Sequence, residues 1–435
     1  MSVKTRRDFT KLGCSLVAMS VAQGSGLLSH RAEAEVTPLS PSSTLPKALI
    51  FNSGAKVATH SDWLKRRQEI LHTAAEQMYG TAPSAAGFHF EVQEEGPAFD
   101  GTAHRRQIKL HFKSGSHSPG ANLLLYTPAK IKKAPVIVGL NFWGNHTLSD
   151  DPAVLLSDSW IEAGKNPFAN LGCVEQHRAT PACRGIDAHR WPVQQLLDRG
   201  YALCTVYRGD IDSDLADGSI PGLAAAFPEL QDRDDNFSTI GAWAWTLRRM
   251  LDYLETDRDV DAKRAAVFGW SRLGKAAVWA GATDSRFAAV LSQESGAGGA
   301  KLFRRGVGED IHRLNTVFPH WYCRGFRRYN NMDRELPFDQ HLILSAIAPR
   351  PLFIASAQDD KLSDPAGEFA SGVLAGEVYR FLGSKGLPSD EMPPPGSPLF
   401  GPISYQIRTG GHDVTFYDWQ QYLTFLDRFL RKQGT

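Results

Sequence analysis

Short apolar runs alternate with amphipathic stretches along most of this chain, after a Pro- and Ser-bearing arm at 35–50. Residues 61–79 read as a helix, with Leu64, Ile70, Ala74 and Met78 toward one side. Residues 88–95 and 106–112 alternate closely enough for an antiparallel pair, which 120–126 extends. Residues 134–140 are continuously apolar, the pattern of a strand covered on both faces. The rhythm continues with a short helix at 192–199, a strand at 202–207 and a helix at 241–254, where Trp243 and Trp245 read as packing residues. Strands at 265–268, 287–292, 351–355 and 405–408 follow, with helices at 273–282, 368–381 and 419–431 between or after them.

One junction carries chemistry. Residues 265–274, AAVFGWSRLG, run a strand straight into a helix-forming segment with Ser271 at the bend. A tight strand–turn–helix bend lifts a serine hydroxyl above the sheet and aims the next backbone N–H at the same point. Gly269 suits the crowding at such a bend. The glycine usual two residues after the serine is missing; Leu273 stands there and Gly274 comes one later. An ordinary strand–helix junction would carry the same string, so partners decide. His412 lies past the last strand, in Gly410-Gly411-His412-Asp413, where one ring nitrogen can serve Ser271 while an acid fixes the other. Two places supply that acid: Asp359 and Asp360 after the 351–355 strand, or Glu294 after the strand that follows the bend. Such groups at the carboxyl ends of successive strands predict an α/β-hydrolase fold, a three-layer sandwich with loop insertions at 147–188 and again ahead of 351. The acidic run at 210–218 has the composition of a calcium loop without its spacing, and reads as a solvated loop.

Charge and composition mostly exclude. The chain has 435 residues, 42% hydrophobic, enough for one large core. With 48 basic and 47 acidic residues the formal charge is +1, which gives no footing for nucleic-acid binding. Arg6-Arg7 precedes a mildly apolar stretch at 12–28, and Ala32-Glu33-Ala34 offers small residues for cleavage. This pattern predicts a twin-arginine signal peptide over 1–34, a single catalytic domain over 35–435, and a periplasmic or secreted enzyme. The apolar stretch is too short to act as a stable membrane anchor. Cys173 and Cys183 lie close enough in sequence to pair, Cys204 reads as a buried thiol, and no CxxC suggests a thiolate metal cluster. No cofactor and no metal are expected, and the protein is expected to be a monomer.

The string Gly269-Trp270-Ser271-Arg272-Leu273-Gly274-Lys275, followed by Gln293-Glu294-Ser295-Gly296, resembles the glucuronoyl esterases, which cut glucuronic acid esters linking xylan to lignin. The resemblance continues, in family order, through 139–146, 318–321, 339–341, 364–369 and 411–415. It implies that Ser271 is the nucleophile, His412 the base and Glu294 the acid, with Asp360 the second acid that bacterial members often carry. Arg272 matches the family's arginine beside the nucleophile, suited to a growing oxyanion; an ion pair on the sheet rim is the plainer role. Lys275, one helical turn beyond Ser271 and expected to face the same pocket, is implied as a ligand of sugar hydroxyls together with Glu309, whose plainer reading is a solvated carboxylate. Two positions depart from the family pattern: Leu362 replaces a tryptophan common in bacterial relatives, and Trp270 replaces a cysteine or histidine. The implied substrate is a glucuronoxylan or lignin–carbohydrate ester bearing 4-O-methyl-glucuronoyl groups. An acetyl xylan esterase of the same fold is the alternative, keeping the triad and discarding Lys275 and Glu309 as sugar ligands. A non-catalytic carbohydrate-binding protein fits poorly, because both Ser271 and His412 are present.

The leader generates the first prediction. Replacing Arg6-Arg7 by Lys-Lys should hold the precursor in the cytoplasm, as followed by cell fractionation; mature protein outside the inner membrane at the normal level would exclude this route.

Overall fold

The wholly apolar stretches become strands of one sheet. The computed structural model describes residues 45–84, 88–112, 120–165 and 170–431, so the expected leader lies outside the described residues. Nine strands form the main sheet: His89–Ala98 (β1), Ala103–His111 (β2), Gly120–Pro128 (β3), Ala134–Asn141 (β4), Ala202–Tyr207 (β5), Val260–Trp270 (β6), Ala289–Gln293 (β7), Leu352–Ala357 (β8) and Ile403–Arg408 (β9). Their spatial order is β1-β2-β3-β5-β4-β6-β7-β8-β9. The first three pairings are antiparallel and the remaining five parallel. The carboxyl ends of β6, β7, β8 and β9 therefore lie side by side along one edge.

Helices cover both faces: His60–Ala74 (α1), Val193–Asp198 (α2), Thr239–Thr256 (α3), Arg272–Thr283 (α4), Ile311–Val317 (α5), Gln340–Ser345 (α6), Pro365–Phe381 (α7) and Phe416–Phe429 (α8). Side-chain alternation divides the interior. Val136, Val138, Ala265 and Val267 join a core with α3, α4, α6 and α7, while Ile137, Ala266 and Phe268 join a second core with α2 and α8. This is the three-layer α/β-hydrolase arrangement. Its described residues fall within one unit spanning Leu39–Thr435. Among them, no helix is long and apolar enough to cross a membrane.

Three expectations change. The buried stripe of α1 begins at Trp63 and continues through Ile70 and Ala74, while Leu64 is 64% exposed. Ile70, Ala74 and Met78 are buried as expected; only at the helix start does the buried place fall to Trp63, about 100° around the axis from Leu64. The 147–188 insertion is more than a surface loop. It has a small core of its own, with Ile161, Leu171, Val174 and Cys183 packed against Trp143 and Tyr207, and Cys173–Cys183 is a disulfide. The acidic run at 210–218 is solvated only at 216–218; in its first part Asp210 accepts from Ser159 Oγ at 2.7 Å and from the Asn122 N–H at 2.8 Å, and the Asp214 side chain is 2% exposed. Composition could not reveal these carboxylates as buried, because their donors come from distant parts of the chain.

Gly269 and Gly274 explain how the strand–helix bend closes. A Cβ on Gly269 would lie 2.1 Å from the Leu273 carbonyl oxygen, and one on Gly274 would lie 2.9 Å from Ser295 Cβ. The displaced glycine thus lets α4 approach the end of β7. Gly269→Ala should lower unfolding stability by about 3 kcal/mol, through a clash with backbone that cannot step aside. Denaturant unfolding checks this, and an unchanged midpoint would show that the bend relaxes.

Candidate active site

Ser271 caps α4 with φ 58° and ψ −130°, a backbone conformation that a non-glycine residue adopts only when its surroundings enforce it. Its N–H donates to Gln293 O at 2.9 Å, and its carbonyl accepts from the Lys275 N–H at 3.1 Å. Adjacent β7 therefore holds the turn from one side and the first turn of α4 from the other. The serine sits at the sheet edge, on the wall of a cavity of about 340 Å³ that His412, Trp270 and Arg272 also line.

His412 is in the turn after β9, and both candidate acids reach the same ring nitrogen. Its Nδ1 lies 2.6 Å from Asp360 Oδ2 and 3.1 Å from Glu294 Oε2. Carboxylates accept, so Nδ1 carries the proton and base chemistry falls to Nε2. Asp359 is exposed, which resolves the choice between the two aspartates in favour of Asp360. Glu294 is 1% exposed and its oxygens are fully engaged: Oε1 accepts from Arg408 Nη2 and Gln293 Nε2, both at 2.7 Å, and Oε2 from the Asp413 N–H at 2.9 Å. Burial raises the Glu294 pKa despite the opposing pull of His412 and Arg408. For Asp360, burial pushes upward, but the bond to His412, the imidazolium charge and the bonds from Ser363 together outweigh it, and the pKa falls. Burial likewise pulls His412 down, yet the two carboxylates overcome it and push the imidazole up to about 9.

Arg408 gives the sequence no obvious signal beyond a charge at a strand end. Besides Glu294, its Nη2 donates to Gly411 O at 2.9 Å and Asp413 O at 2.7 Å, so it ties the acid to the turn that carries His412. Trp270 also finds its place: its ring lies 5.2 Å from that of His412, with the Arg190 guanidinium 5.1 Å from the indole and the Phe142 ring at 5.1 Å. It braces the histidine rather than closing the bend. Glu294, Asp360 and His412 could by donor type hold a metal, all three ligand atoms lying within 4.8 Å of one another. The hydrogen-bond spacing at Nδ1 and the Arg408 cation on Glu294 make the cluster a poor cation site.

Arg272 lines the cavity, paired with Asp214 Oδ2 and lying 4.8 Å from the Trp321 ring and 5.3 Å from Phe318. Lys275 and Glu309 are brought together at 2.9 Å, but neither is among the cavity-lining residues. Lys275 is 3% exposed and also donates to Ser295 O at 2.9 Å and Ala297 O at 2.8 Å. The shared pocket expected for Ser271 and Lys275 is thus not formed by this cavity: one turn along α4 carries the lysine inward beneath the loop after β7. Leu362 is half exposed, and its carbonyl accepts from the Glu309 N–H at 3.0 Å. Trp160 and Glu162, which also line the cavity, belong to the 147–188 insertion, and the Trp160 ring stacks on His177 at 5.0 Å.

Known proteins resemble this chain over most of its length. A family profile described as "Glucuronyl esterase, fungi" matches residues 174–383. Carbohydrate esterase MZ0003, from an unknown prokaryotic organism, is 40% identical over 396 residues, covering 90% of each chain. A 4-O-methyl-glucuronoyl methylesterase of Schizophyllum commune is 26% identical over 354 residues, covering 78% of this chain and 74% of that protein. Among solved structures, a glucuronoyl esterase from Solibacter usitatus superposes with a TM-score of 0.83 at 41% identity, covering 89% of this chain and 98% of that one.

The two carboxylates on one imidazole generate a prediction about protonation alone. His412 should titrate near 9, and Asp360→Asn or Glu294→Gln should each lower that value, because each removes a charge that favours the imidazolium. Ring-proton NMR against pH measures it. A titration that moves in neither variant would show that the carboxylates do not govern the histidine.

Proposed function

The chain belongs to the glucuronoyl esterase family, and from that premise we propose that it cleaves 4-O-methyl-glucuronoyl esters between glucuronoxylan and lignin alcohols through an acyl-enzyme on Ser271. The observation that carries the reading is His412, fixed at Nδ1 by Asp360 and Glu294 on the wall of the cavity that also holds Ser271. Ser271 Oγ attacks the C6 carbonyl while His412 Nε2 takes its proton. The oxyanion is stabilised by the Arg272 backbone N–H and guanidinium. His412 then protonates the departing alcohol, and the serine is left esterified by the uronic acid. Water, deprotonated by the same histidine, releases the acid and restores the hydroxyl. The imidazole acts as base only when neutral, so kcat/KM should rise with pH as His412 loses its proton near 9. The family resemblance is what supports Lys275 and Glu309 as contacts to sugar hydroxyls, a role in which the Lys275 ammonium exchanges one of its three internal acceptors for the sugar, and the Arg6-Arg7 leader supports work outside the cytoplasm.

A second reading has an observation behind it. Lys275 is buried, and three internal acceptors engage its ammonium group. An acetyl xylan esterase would need no more of Lys275 than that packing role.

Substrate preference separates the two readings. The purified enzyme should turn over a methyl 4-O-methyl-glucuronate ester and leave acetylated xylan almost untouched. Ser271→Ala should cut kcat by at least about 10⁴-fold. Lys275→Ala should raise KM for the uronate ester more than it lowers kcat, with phenyl acetate hydrolysis nearly unchanged. Equal losses on both substrates would remove the sugar-holding role, and rapid deacetylation without uronate ester cleavage would reverse the assignment.

A further inference from the structure

Asp214 is a buried carboxylate on a strained backbone, with φ 64° and a side chain 2% exposed. Both features are unfavourable unless surrounding groups hold them in place. Four donors converge on it. Arg272 Nη1 bonds Oδ2, Arg208 Nη1 lies 3.1 Å away, and Oδ1 meets His320 Nε2 at 2.8 Å and Trp321 Nε1 at 2.7 Å. Burial would raise its pKa, but the two arginines, the histidine and the indole more than reverse this and keep the carboxyl ionised.

The same groups constrain Arg272 from a second direction. Its guanidinium lies 4.8 Å from the Trp321 ring, which is itself stacked on Phe318 at 3.7 Å. The carboxylate therefore grips one end of the guanidinium while the indole face limits its tilt. Its Nε is buried and has no hydrogen-bond partner among the described residues, although Arg272 stands beside Ser271 on the cavity wall. A long, flexible arginine helps an oxyanion most when it is already oriented before charge develops.

We propose that Asp214 is a positioning residue for the esterase reaction, holding the Arg272 guanidinium at the cavity wall where the oxyanion forms. The proposal rests on the oxyanion role given to Arg272 above. Arg208 balances the same carboxylate from the β5 side, so that Asp214 retains its charge without a net negative wall. The acid works through Arg272 and touches no reacting atom.

The test crosses Asp214→Asn with Arg272→Ala and measures kcat and KM on a methyl 4-O-methyl-glucuronate ester. Asp214→Asn should lower kcat by about tenfold or more while KM changes less than about threefold, and its effect should shrink below about twofold once Arg272 is gone. His320→Ala removes one partner that can be neutral and leaves Asp214 with Arg272, Arg208 and Trp321, a smaller change than loss of the carboxylate itself. It should lower kcat about two- to fivefold and likewise lose its effect in the Arg272→Ala background. If Asp214→Asn does not fold, the His320 cycle decides. Equal fractional losses with and without Arg272 would overturn the positioning role and leave the oxyanion role standing. An Arg272→Ala enzyme with normal kcat would overturn both.

Discussion

The arrangement of the site depends on one nitrogen atom. His412 Nδ1 is held by carboxylates from two strand ends, Asp360 beyond β8 and Glu294 beyond β7. Two negative groups on one imidazole would repel each other, and one of them is almost wholly buried. Arg408 makes the arrangement tenable: it reaches from the end of β9 to Glu294 and to two carbonyls of the histidine turn. It is anchored in turn by Asp418 at 3.0 Å. The parallel order β7-β8-β9 is what brings these groups together.

Packing sets the serine with similar stringency. A β-strand and an α-helix meet at Ser271 closely enough that only glycine fits at Gly269, and Gly274 lets the helix slide against the loop after β7. That loop begins with Glu294, itself at φ 44°. The fixing of the serine and the fixing of the acid thus share one piece of backbone. Glu368, buried on α7, accepts from the Gly296 N–H at 2.9 Å and from Ser356 Oγ at 2.6 Å, and burial pushes its pKa up to about 8.

A second electrostatic layer faces the substrate side. Arg272 and Arg208 share Asp214, while Glu162 and Trp160 approach the same cavity from the 147–188 insertion. Ser271 and His412 therefore come to the cavity from the ends of sheet strands, and Trp160 and Glu162 from a long excursion with its own small core.

The order of strands and helices, the bend at Ser271 and the histidine turn were legible in the sequence, because each is local: periodicity, a glycine before a serine, a glycine pair before a histidine. Ser271, His412 and the candidate acids Glu294, Asp359 and Asp360 could be named for the same reason, while the family resemblance set Asp360 beside Glu294 and gave Arg272 its role. The reading from sequence brought both acids to one imidazole, but it could not say that both meet the same ring nitrogen, since that depends on the geometry of the strand ends. Nor could it show that Lys275 turns inward or that Arg408 clamps the acid. Asp214 was the furthest from view. In a run of acidic and small residues it looks solvated, and only tertiary structure surrounds it with Arg208, Arg272, His320 and Trp321 from three places in the chain. Local pattern reports which groups are available; burial and charge pairing belong to neighbours that the chain supplies only after it has folded.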